Sequence, residues 1–126
     1  MSHPSRFGFR TEIDFTLPKG YVDASGTLHR HGVMRLATAA DEILPLRDPR
    51  VQQNEAYLTV IVLARVIVKL GTLADIDTGT IEGLYASDLA FLQRLYEELN
   101  AGDETESPLA AHAGAGLRGM TTLGEA

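Results

Sequence analysis

Between Phe7 and Leu17 apolar and polar residues alternate. Phe7, Phe9, Ile13, Phe15 and Leu17 fall on odd positions, and Arg10, Glu12, Asp14 and Thr16 on even ones. A period of two predicts a strand with one face on a core and one face in water. Pro18 and Gly20 punctuate it. Tyr21-Val22 and Thr27-Leu28 flank Asp23-Ala24-Ser25-Gly26, which predicts a turn with glycine supplying a positive φ. A return strand is expected from Thr27 to Leu36, with a bulge at Gly32. A two-stranded hairpin is marginal alone in water, so this one must pack on the rest of the chain or pair with another chain.

The period changes after Leu36. Thr38-Ala39-Ala40-Asp41 is a variant capping box before Ile43-Leu44, and Pro45 limits that helix to a short piece. Asp48-Pro49 then has the form of N-cap and first helical residue. Gly71 suits the position just past a C-terminus, with Lys69 in the last turn favourable to the dipole. The pattern therefore predicts one long helix over 49–70, with Glu55, Thr59, Arg65 and Lys69 as a narrow polar stripe. Asp75 to Thr78 form a linker with Asp77 or Thr78 as cap. Ile81, Leu84, Tyr85, Leu89, Leu92, Leu95, Tyr96 and Leu99 then step by three or four. Asp88 interrupts that stripe, so Ser87-Asp88 reads as a fresh N-cap and N1 splitting the segment in two.

From Ala101 onward the chain holds five of its twelve glycines and few large apolar residues, the composition of a disordered tail. Leu117 and Met120 are its candidates for a short recognition element. The reading is α+β: an N-terminal β-hairpin packed on three or four helices within one domain, residues 1–100, then a flexible tail, 101–126.

Composition narrows the function. With 126 residues and 44% apolar content, one domain buries a real core. The absence of cysteine excludes disulfides, thiolate metal sites and thiol nucleophiles. A net charge of −6 argues against non-specific binding to nucleic acid or anionic membranes. Tyr57–Leu70 is the most apolar stretch, but two basic residues interrupt its fourteen positions, short of the ~20 a membrane span needs. No secretory pattern opens the sequence, and cytoplasmic residence is the expectation.

Candidate chemistry is sparse. His29 and His31 share one strand face, but two imidazoles do not make a metal site. Asp75 and Asp77 fit capping better than acid–base work. Ser2, Ser5, Ser25, Ser87 and Ser107 lie in ends, a turn or a cap, with no G-x-S-x-G around them. Gly114-Ala115-Gly116-Leu117-Arg118-Gly119 is one residue short of a dinucleotide fingerprint and follows no predicted strand. Arg65 and Lys69 are too few for a nucleic-acid patch. No catalytic, cofactor-binding or metal-ligating set is expected. Surplus apolar surface remains, which points to a protein partner or self-association, with a helix-in-groove mode suiting it. Tyr57, Tyr85, Phe91, Leu92, Leu95, Tyr96 and Leu99 are the candidate partner-binding residues.

The ordered pattern resembles a known family. A hairpin ends in Val33-Met-Arg-Leu-Ala-Thr-Ala-Ala-Asp41. An apolar run ends in Leu70-Gly71-Thr72-Leu73. Ile76-Asp77 follows, then a helix carrying Asp88-Leu-Ala-Phe-Leu92. Over residues 10–100 this resembles the tail assembly chaperones of contractile-tailed phages and of phage-tail-like contractile injection particles. Arg35, Thr38, Asp41 and Asp88 match recurrent positions of that family. The resemblance implies a non-catalytic protein, without cofactor, that binds the tape measure protein, keeps it soluble and helps tail tube protein assemble around it. An accessory component retained in the tube or baseplate is the alternative expectation.

Overall fold

The computed structural model describes residues 11–101. The tail assigned to 101–126 and the strand residues Phe7 and Phe9 therefore lie outside the described part, Ala101 excepted. The architecture is α+β: a three-stranded antiparallel sheet in the order β1-β2-β3, with helices covering one face.

Strand β1 spans Glu12–Val22 and β2 spans Leu28–Arg35. Phe15 and Leu17 enter the core while Glu12, Asp14 and Thr16 face water, as the alternation predicts. The turn is tied by Asp23, whose carboxylate accepts from the Ser25 and Thr27 amides at 2.8 and 3.0 Å, with Gly26 at φ +89°. β1 runs on through Pro18 and Gly20, and the register shifts between Thr16 and Tyr21. The bulge expected at Gly32 is corrected in position: Gly32 pairs with Phe15 and Leu70, and against β3 the register shifts just beyond it, between Val33 and Met34. Its glycine identity is steric, since a Cβ there would lie 2.4 Å from Phe15 Cζ and 2.5 Å from the Lys69 carbonyl.

The helix expected over 49–70 is three elements. Asp48 caps α2, Pro49–Gln53, accepting from the Arg50 amide at 2.8 Å. The chain turns at Asn54–Ala56 and re-enters helix as α3, Tyr57–Val66. The run Ile67–Leu70 then becomes β3, antiparallel to β2. Ile67 and Leu70 point into the core opposite Met34 and Gly32. β-Branched Ile67 and Val68 suit a strand, and the free hydrogen-bonding edge of β2 claims them. Gly71 still ends the apolar run, at φ +57°.

Ahead of these elements lie α1, Ala39–Ile43, and a 3-10 turn, Leu44–Arg47, with Pro45 at its start. Asp77 caps α4, Thr78–Glu82, accepting from the Thr80 amide at 2.9 Å. The last helix, α5, runs Ala86–Asn100 with Tyr85 as N-cap. The split expected at Ser87-Asp88 thus falls at Gly83–Tyr85, and Asp88 lies inside the first turn of α5. Leu17, Met34, Leu58, Val62, Leu63, Val66, Leu92 and Tyr96 form the centre of the core.

Candidate partner-binding surface

Four polar residues hold the fold's junctions. Arg35, at the end of β2, grips Asp41 in α1 with both terminal nitrogens, at 2.7 and 3.1 Å. Arg65, in the last turn of α3, donates to the same carboxylate at 2.9 Å, and the Thr38 amide at 2.7 Å. Arg35 also donates to the carbonyls of Leu36 and Arg65, both at 2.9 Å. One buried carboxylate thus ties strand, short helix and long helix together. Bonds from Arg35 hold the Asp41 carboxyl far below the usual carboxylate range, outweighing burial. The Asp41 partnership in turn raises the Arg35 guanidinium.

Asp88 makes the second junction. It is fully buried in the first turn of α5, where a carboxylate complements the helix dipole. Its oxygens accept the backbone amides of Lys19 and Gly20 at 2.9 and 2.8 Å. Those amides belong to the irregular stretch of β1. The carbonyls of Leu17 and Pro18 accept from Arg30 at 3.0 and 3.3 Å. Buried backbone groups freed by a bulge need partners, and here side chains supply them.

The residues expected to bind a partner separate into two groups. Leu92 and Tyr96 are core residues, which corrects their assignment to a contact surface. The Tyr96 hydroxyl bonds the Glu42 carboxylate of α1, and burial with that neighbour raises its pKa strongly. Phe91 is half-buried edge-on to Phe15, with ring centres 6.5 Å apart, and Leu95 and Leu99 also pack on the core. Tyr57 is covered by Arg50, 5.0 Å above its ring, and bonds Glu82. Only Tyr85 of the set stands exposed, at 56%.

The main exposed apolar run lies elsewhere. Ile43, Leu44 and Leu46 are 56%, 43% and 40% exposed, around the buried Pro45. These residues sit directly after the Asp41 junction, which fixes α1 and so holds the run outward. Sequence periodicity missed them because Ile43-Leu44-Pro45-Leu46 fits neither a helical nor a strand period. The available signal was Pro45 itself: three apolar residues, Ile43, Leu44 and Leu46, around a helix breaker cannot all face one core. A second apolar pair, Val22 and Leu28, forms a cross-strand partnership at the hairpin tip and is also exposed.

The histidines do not converge. His29 is buried; its Nδ1 accepts from the Thr72 amide at 3.2 Å, so Nε2 carries the proton that it donates to Asp23 at 2.8 Å. His31 is exposed beside the Thr16 hydroxyl. Asp77 caps α4 and Asp75 is exposed. Among the described residues, no three His, Asp or Glu side chains gather as a metal site, and no helix is long and apolar enough to cross a membrane. Arg65 is taken by Asp41 and Lys69 lies on β3, so the two do not share the helix face expected of them. Comparison with known proteins returns no match to a family model, a curated protein or a solved structure.

Proposed function

We propose that the protein is a non-catalytic assembly factor of a contractile tail: a chaperone that binds the tape measure protein and aids tail tube assembly. One observation carries the reading. The positions that resemble the family pattern, Arg35, Thr38, Asp41 and Asp88, are the polar junctions of the fold, and three of them hold an exposed apolar run, Ile43–Leu46, away from the core. An exposed apolar patch on a small domain marks an interaction site. A long amphipathic helix offers the matching surface.

The test is co-expression with the tape measure protein of the same tail cluster, followed by sizing of the complex by light scattering. The expected result is a partner insoluble alone and soluble with this chain, and Ile43→Ser with Leu44→Ser and Leu46→Ser abolishing the effect. A partner that stays insoluble overturns the reading. Recovery of the chain inside purified particles replaces it with the retained accessory component.

A further inference from the structure

We propose that the Ile43–Leu46 surface is the docking site of this chain's own segment 102–126, with Leu109, Leu117 and Met120 supplying the apolar contacts. The place where the described chain ends argues for it. In the last turn of α5, Asn100 accepts the Ala37 amide at 2.8 Å, and Tyr96 bonds Glu42 of α1. Ala101 therefore leaves the fold beside the start of α1. From there α1 and the 3-10 turn extend about 15 Å to Arg47. Leu109 lies eight residues beyond Ala101, a reach of up to about 26 Å.

Charge argues in the same direction. Arg47 is exposed next to Leu46, and Arg35 and Arg65 share the single carboxylate of Asp41. Counting Arg35, Arg47 and Arg65 against Asp41 and Glu42, the patch itself keeps one surplus cation in a chain of net charge −6, with Glu97 and Glu98 in the last turn of α5 outside that count. Residues 103–106 carry Asp103, Glu104 and Glu106, placed between the exit point and Leu109. The other segment near this corner is residues 1–10, because the Leu36 amide donates to the Thr11 carbonyl. It carries Arg6 and Arg10 and no acid, the wrong sign for the same corner. Tethering supplies an effective concentration in the millimolar range, so a weak contact suffices to occupy the patch. A tape measure segment then has to displace it; that regulatory consequence rests on the chaperone reading, whereas the contact itself does not.

The absence of cysteine makes the test direct. A nitroxide is attached to Thr121→Cys in the full, 15N-labelled chain, and amide intensities are compared before and after reduction of the label. The expected result is strong broadening at Ile43, Leu44 and Leu46, with Val22 and Leu28 at the hairpin tip unaffected. Adding Leu109→Ser, Leu117→Ser and Met120→Ser restores the lost intensity. Three outcomes overturn the proposal: no broadening at the patch; equal broadening in the triple-serine chain; or broadening when spin-labelled 14N protein is mixed with unlabelled 15N protein, which assigns the patch to a second copy. A label at Ser5→Cys that broadens the patch instead assigns it to residues 1–10. The co-expression experiment is separate, so the chaperone reading and this contact can fail independently.

Discussion

Asp88 shows how much one side chain can organise. Its two oxygens satisfy the adjacent amides of Lys19 and Gly20 in the irregular part of β1. Asp88→Ala leaves both donors without this partner, the Gly20 amide buried, at about 1–3 kcal/mol, and the Lys19 amide part-buried, at less. Urea denaturation is expected to show a loss of about 3 kcal/mol, with Asp88→Asn, which keeps one acceptor, losing less. Equal stability of wild type and Asp88→Ala contradicts this account. Asp41 gives a pH prediction. Its folded-state pKa is depressed, so its contribution is present above the unfolded value of about 4 and fades as pH falls toward the lower folded value. Stability therefore decreases on acidification below about pH 4, and Asp41→Asn flattens that acid limb while lowering stability at pH 7. The neutral-pH cost is about 2 kcal/mol, below that of a fully buried pair because the side chains of Arg35 and Arg65 are about a third exposed. Chemical unfolding at a series of pH values measures both effects.

Between neighbouring elements, conformations are decided by what lies alongside. β3 is the clearest case: Ile67–Leu70 extends an apolar helix by composition, yet pairs with β2 because that edge offers hydrogen bonds and a core position for each of Ile67 and Leu70. Gly71 closes the strand with its Cα against His29, where an added Cβ would lie 2.1 Å from Nδ1 at a φ of +57°. Gly71→Ala is expected to cost at least about 2 kcal/mol, through strain at positive φ and displacement of His29, and to expose the Thr72 amide to hydrogen exchange. Unchanged protection of Thr72 refutes it. The caps were legible in the sequence because they are local: Thr38-Asp41, Asp48-Pro49 and Asp77 all sit at helix starts. The hairpin was legible for the same reason. The strand β3 and the role of Asp88 were not, since each depends on partners tens of residues away; the break at Asn54–Ala56 is held by local bonds, the Asn54 side chain accepting from the Ala56 amide, inside an otherwise helical pattern. Part of the candidate set lies in the core because apolar and aromatic residues with helical spacing look alike whether they meet the core or a partner, and here Phe91, Leu92 and Tyr96 meet the core.

For the whole molecule, the polar junctions and the exposed apolar run occupy different residues. The polar junctions carry the fold and the apolar run Ile43–Leu46 carries little of it. Ile43→Ser with Leu44→Ser and Leu46→Ser is therefore expected to shift the unfolding free energy by no more than about 1 kcal/mol in total. A thermal or urea melt checks this, and a large loss means the run belongs to the core after all. This separation is what makes the partner experiments interpretable, because the variant folds whether or not it binds. The helix α5 links the two ends of the molecule, holding β1 through Asp88 and the start of α1 through Asn100.

The Asp88 clamp also sets an order in time. Lys19 and Gly20 are synthesised well before their partner, which stands 69 and 68 positions later in the chain. Until α5 has emerged, the hairpin has unsatisfied amides in its irregular stretch and lacks Leu92 and Tyr96 on its apolar face. Ribosome-bound chains stalled before residue 88 should therefore leave the hairpin open to protease, and closure should arrive only with the last helix, as expected where distant contacts complete a fold.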